Sequence, residues 1–273
     1  MILKGSQRQV RESNIELLRI VLMLMIITYH LLVHGANVGR KSYTISNDFS
    51  IAYVFLKSFL VIAVNCFVFI SGYYRINFRI QTFLNIILQT AFFAIAITLA
   101  VDALALQPIS IGHYVKAFVP TVSGTWWFIT AYLALYLLSP LLNKAIDAFD
   151  KDQFLFILVG LTLINSIIGF SGGAQHVVGV NRGLSLIGFI YIYLVAQFIR
   201  RYAPPEKLTK FAPVGYVAIS LLLFLLAFFS ITELGQRGVP YIHSYNNPLV
   251  LAAAICFFFF FKSIHIKDRK SVV

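Results

Sequence analysis

The sequence predicts an all-α protein: a polytopic bundle of about eight transmembrane helices with both termini in the cytoplasm. Three observations carry this. First, 59% of the 273 residues are hydrophobic and only 12% are charged, about half the charged share of a soluble domain. Second, the apolar residues fall into runs close to the ~20 residues that a helix needs to cross the hydrocarbon. Third, the basic residues are unevenly placed. With the N-terminus inside, the inner segments hold fifteen Lys and Arg and the outer segments five, as cytoplasmic loops do. The net charge of +12 therefore reads as membrane topology, and nucleic acid is not an expected partner.

The runs, in order, are 15–36, 50–72, 80–102, 125–142, 153–170, 184–201, 213–231 and 247–262. Short connections make one membrane-embedded domain over residues 1–273. The first run is too long for a signal-peptide core and reads as a retained anchor. Ser13 and Glu16 before it have the S-x-x-E spacing of a capping box, so its helix is expected to start near Asn14. Glu16 also lies three residues before Arg19, within reach of its charge. Arg75 and Arg79 lead into the third run. Trp126 and Trp127 open the fourth at the outer interface, either as an aromatic belt or as part of a site. Two outer segments are polar: the Gly-rich "GFSGGAQHVVGVNRG" before the sixth run, which lacks the Lys-Ser/Thr of a phosphate loop, and "YIHSYNNP" before the eighth, whose Tyr245 offers a face for sugar stacking. Cys66 and Cys256 both lie in apolar runs and read as small hydrophobes.

Arg19 and His30 are ionisable residues set among the apolar ones of the first run, which also holds Glu16 at its start and His34 near its end. Such residues at membrane depth cost roughly 2.5–3.5 kcal/mol on insertion scales, which marks them as functional candidates. They are eleven residues apart, so they return to within about 20° of one direction and stand about 16 Å apart along the axis. Taken singly, Arg19 could snorkel to the headgroups and His30 could bond to a neighbouring helix. Together, a cation near the cytoplasm and a base deeper in the bilayer suggest a conduit for an anionic substrate. His30 and His34 have the i, i+4 spacing of a metal pair, but spacing supplies no third ligand, and no metal site is expected.

The first helix, "NIELLRIVLMLMIITYH", resembles the acyltransferase-3 family of bacterial integral membrane proteins, whose signature is an Arg, ten residues and a His. "CFVFISGYY" is similar to the family's Phe-x-x-Ser-Gly-Tyr element. "WWFITAYLALYLLSPLLN" resembles its Trp-Phe-x-x-x-Tyr-Leu helix ending in Ser-Pro, and "YNNPLVLAAAICFFFFFK" resembles a late family helix. The resemblance implies transfer of an acyl group, usually acetyl, from cytoplasmic acyl-CoA to a hydroxyl of an extracytoplasmic acceptor. That acceptor would be a surface glycan or a lipid-linked saccharide.

It also implies His30 as the catalytic residue, either base or acyl carrier, with Arg19 as part of the donor site. The chemistry agrees: imidazole suits proton removal near neutral pH, and guanidinium binds phosphate in fork geometry. Arg19, Arg75 and Arg79, all on the inner side, are the expected donor clamp. Trp126, Trp127 and Tyr245 are the acceptor-side candidates. Acetyl-CoA is the expected donor, no cofactor is expected to be bound permanently, and the bacterial inner membrane is the expected location. The family pattern continues into one or two further helices after "KSIHIKDRKSVV", so the chain reads as C-terminally short. The rival readings are a transporter or flippase using Arg19 and His30 as a polar path, and an inactive shortened member.

Overall fold

Long apolar runs must satisfy every backbone amide internally once in lipid, and helices do so within one segment. A computed structural model describes residues 12–35, 48–124, 126–171, 173–203, 205–233 and 238–266. Of the basic residues counted for orientation, Lys4, Arg8, Arg11, Arg40, Lys41, Arg237, Lys267, Arg269 and Lys270 lie outside the described residues. The structure is an all-α bundle, and no strand occurs among the described residues. α1 (Ser13–His30) continues as a wider turn over Leu31–Gly35. α2 (Asp48–Leu60) and α3 (Ala63–Tyr74) are separated only by a turn at Val61 and Ile62. Then follow α4 (Ile80–Ala103), the short α5 (Ile111–Phe118), α6 (Trp127–Ala148) and α7 (Lys151–Thr162). The chain finishes with α8 (Ala174–Val177), α9 (Leu186–Tyr202), α10 (Pro205–Glu233), α11 (Val239–Ile242) and α12 (Pro248–Ser263).

All eight predicted runs fall on helices, but six helical stretches are long and apolar enough to cross a membrane: Ser13–His34, Ile51–Tyr74, Ile80–Ala103, Trp127–Ala148, Lys151–Phe170 and Pro205–Glu233. The other two runs form α9, of 17 residues, and α12, of 16. At 1.5 Å per residue these are about 26 and 24 Å long, a few ångströms short of a ~30 Å core. Local chemistry sets their ends. Ser185 accepts from the Gly188 amide to start α9, which stops after Arg200 and Arg201. Asn247 and Pro248 start α12, and Lys262 lies in its last turn. Both helices bury much of their length, and α12 buries Phe257, Phe258, Phe259 and Phe261.

One local expectation fails. α1 starts at Ser13 with Glu12 at the cap position, and no side chain caps it. Glu16 does not reach back to the cap because it pairs with Arg19 at 2.5 Å. The N-terminus is held instead by long-range contacts. Asn14 donates to the carbonyls of Phe261 and Lys262 at 3.2 and 3.3 Å. Glu12 accepts from Lys262 at 3.1 Å and from the Tyr74 hydroxyl at 2.6 Å.

The Ser-Gly-Tyr element at the end of α3 has a packing reason. A Cβ on Gly72 would lie 2.8 Å from Ala196 Cβ and from the Tyr193 carbonyl oxygen, and 2.9 Å from Tyr193 Cα. The missing side chain lets α3 and α9 cross in close contact, as small residues do in membrane bundles. The Gln197 amide donates to the Gly72 carbonyl across the same crossing. Gly72→Val should overpack this crossing at a cost of about 1–3 kcal/mol or more. Thermal unfolding in detergent should show a clearly lowered midpoint; an unchanged midpoint would mean that the helices separate freely here.

Candidate active site

α1 buries Ile15, Leu18, Leu22 and Met25 against the bundle, while Arg19 and His30 are exposed on an adjoining stripe. α3 and α6 stand beside that stripe. Arg19 lines a cavity of about 280 Å³ with Phe67, Ile70 and Ser71 of α3 and Phe128 and Tyr132 of α6. The hydroxyls of Ser71 and Tyr132 meet at 3.3 Å on its wall. Glu16 takes one Nη1 hydrogen bond of Arg19. The other guanidinium N–H groups make no hydrogen bond to a described residue. The spacing expected between Arg19 and His30, about 16 Å along the axis, holds because α1 is unbroken between them.

His30 presents a defined face. Its Nδ1 lies 2.8 Å from the Ile26 carbonyl oxygen. A carbonyl only accepts, so Nδ1 carries the proton, and the lone pair of the neutral ring is on Nε2. Nε2 makes no hydrogen bond to a described residue. The ring meets Tyr29 edge-on at 5.8 Å and stacks on His34 at 5.7 Å. No group of three or more His, Cys, Asp or Glu that could hold a metal ion gathers among the described residues.

The two tryptophans part company. Trp127 turns into the bundle, 5.7 Å from Tyr245 and 6.1 Å from Phe189. With Phe128 and Tyr132, whose rings stack at 6.0 Å, it forms an aromatic wall along α6 that ends in the Arg19 cavity. Tyr245 is braced by the Gly-rich segment. Its amide donates to the Arg182 carbonyl at 3.1 Å, and Gly183, at φ +83°, packs so tightly that a Cβ would lie 2.6 Å from the Asn246 amide nitrogen. The Asn65 amide donates to the Tyr245 carbonyl at 2.9 Å. Burial, and then the nearby Tyr29, push the Tyr245 hydroxyl well above its ordinary pKa, so it stays protonated as a donor. Trp126 faces away, into a separate cavity of about 230 Å³ with His113 and Lys116.

Arg75 and Arg79 lie beyond the far end of α3, with no hydrogen bond to Arg19. Arg75 has a positive φ of 64°. It donates to the Asn143 carbonyl at 2.9 Å and pairs with Asp147, and that bond raises its pKa further. Much of its charge is therefore engaged by the bundle itself. Arg79 is exposed, and only its backbone is held: its amide donates to the Tyr136 hydroxyl at 3.0 Å, and its carbonyl accepts from the Phe83 amide at 3.0 Å. Sequence reading passed over a cluster at this end. Arg200 donates to the Tyr73 carbonyl at 2.5 Å, and both Arg200 and Lys262 lie over the Tyr73 and Tyr74 rings. It also gave no role to Lys57, whose Nζ lies 5.9 Å from the Tyr29 ring and 5.8 Å from the Tyr53 ring. An ionisable residue inside a span was the available signal.

Against known proteins, the family model described as an acyltransferase domain matches residues 12–272. No curated protein and no solved structure matches the chain.

Proposed function

This chain belongs to the acyltransferase-3 family and is a multi-pass membrane acyltransferase, and on that premise we propose that it moves an acetyl group from cytoplasmic acetyl-CoA to a hydroxyl of an extracytoplasmic glycan. The location that fits is the bacterial inner membrane, with the Arg75 and Arg79 end of the bundle in the cytoplasm. The observation that carries the reading is the stripe on α1. It sets a guanidinium over a cavity walled by Phe128 and Tyr132 and a free imidazole nitrogen about 16 Å further along.

In this reading Arg19 holds a phosphate of the donor, and Arg79 adds charge at the entrance. The pantetheine arm lies along the groove, and the thioester reaches His30. Nε2 takes the proton of the acceptor hydroxyl as its oxygen attacks the carbonyl carbon. A C–O bond forms, the C–S bond breaks, and the imidazolium returns its proton to the departing thiolate. The same nitrogen can instead accept the acyl group first and pass it on. Trp127 and Tyr245 offer the acceptor sugar an aromatic face. A single domain over residues 1–273 houses both half-sites.

The test is sidedness. In proteoliposomes, acetyl-CoA supplied on the Arg79 face should lose its acetyl group while labelled acetate or acetyl ester appears in the opposite compartment. Free CoA should remain on the donor side. Product confined to the donor side would overturn the transmembrane direction, and no donor consumption would overturn the reaction.

A further inference from the structure

Lys57 lies on α2, seven residues into the span Ile51–Tyr74, at the end of the bundle that carries His30. Its ammonium has aromatic company but no counter-charge among the described residues. The ion pairs among the described residues are Arg19–Glu16, Arg75–Asp147 and Lys262–Glu12. The Tyr29 and Tyr53 rings shelter the charge but supply no anion to neutralise it. The Tyr29 ring also contacts His30, at 5.8 Å, so a single ring separates the ammonium from the imidazole.

A second polar group points to the same place. His243, 5% exposed, comes from the segment before α12. Its Nε2 lies 2.9 Å from Ser58 Oγ, and that hydroxyl donates to the Val54 carbonyl at 2.8 Å. The hydroxyl hydrogen is committed, so Nε2–H donates to Ser58 and the His243 lone pair is on Nδ1. Nδ1 is buried without a hydrogen-bond partner. Burial, and then the charge of Lys57, push the His243 pKa down to about 3. The ring is therefore neutral, and Nδ1 is an acceptor. A buried acceptor left without a partner is destabilising unless a ligand supplies the bond. An ammonium without an ion-pair partner among the described residues and an orphaned acceptor thus lie on two different elements, joined through Ser58, the neighbour of Lys57.

We propose that Lys57 and His243, with Tyr29 and Tyr53, bind an anionic group, carboxylate or phosphate, carried by the acyl acceptor. Lys57 pairs with the anion, and His243 Nδ1 accepts from a hydroxyl next to it. The Tyr29 ring carries the sugar between Lys57 and His30, where a second hydroxyl meets Nε2. The enzyme then selects acidic or phosphorylated saccharides over neutral ones. The inference rests on the reading of His30 as the reacting residue.

Binding is measured on the full chain in lipid nanodiscs, by calorimetry, with glucose, glucuronate and glucose 6-phosphate as probes. At least one anionic probe should bind about tenfold or more tightly than glucose, the margin of a charge-assisted hydrogen bond. The better of the two identifies the group. Lys57→Met, close in shape and apolar, should erase that margin, whereas Lys57→Arg should keep most of it. His243→Leu should weaken both anionic probes. The margin should survive in His30→Ala, which removes transfer. Equal binding of all three probes, or an undiminished margin in Lys57→Met, overturns the proposal. If His30→Ala retains transfer while Lys57→Met loses the margin, the anion site stands and the catalytic reading of His30 falls.

Discussion

Replacing His30 with alanine is expected to lower acyl transfer by about 10²–10⁴-fold, the contribution of a positioned general base. An acyl carrier at the same position would cost at least as much. The fold should not suffer. His30 is exposed, and its one hydrogen bond is to the Ile26 carbonyl of its own helix. Alanine is also a good helix former. A measured turnover rate, set beside unchanged thermal unfolding in detergent, separates the two effects. Glutamine can restore a bond near Nδ1 but no basic nitrogen, so His30→Gln should be as inactive as His30→Ala. Near-normal transfer in both variants would remove His30 from the chemistry, leaving the Arg19 cavity without a reacting partner on this helix.

Arg19→Lys should weaken acetyl-CoA binding by roughly ten- to a hundredfold, since a lost charge-assisted hydrogen bond is worth about 1.5–3 kcal/mol. The charge survives the substitution, but the planar fork does not. Glu16 supplies a control of opposite sign. It holds Arg19 at 2.5 Å, so a donor phosphate must compete with it, and Glu16→Gln should tighten donor binding. Calorimetric titration reads both changes. Unchanged affinity in Arg19→Lys would show that the guanidinium serves the helix and not the donor.

How much of this was legible follows the range of the forces. The helices were legible, because lipid imposes length and polarity on each run separately. The stripe of Arg19 and His30 was legible, because an eleven-residue separation closes on one face whatever surrounds the helix. The cap at Ser13 was misread, because two local partners competed for Glu16 and the i, i+3 charge took it. Arg75 read as a free cation because nothing in its own segment announces Asp147, which is 72 residues away. Trp126 and Trp127 read as a pair, yet adjacent residues on a helix differ by about 100°, and here Trp126 lines a cavity while Trp127 packs against Tyr245 and Phe189. The meeting of Ser58 with His243 spans 185 residues and could not be read before the chain was folded.

α12 is the shortest of the eight apolar helical stretches, and half of its residues are buried. It is also synthesised after every other described span. α1 enters the bilayer first, yet Asn14 has no Phe261 or Lys262 carbonyl to hold, and Glu12 no Lys262 to pair with, until some 250 further residues have been made. The early helices must therefore wait, inserted but unassembled, as in two-stage folding. A stall before Pro248 would leave a membrane-inserted chain whose core lacks the buried phenylalanines of α12.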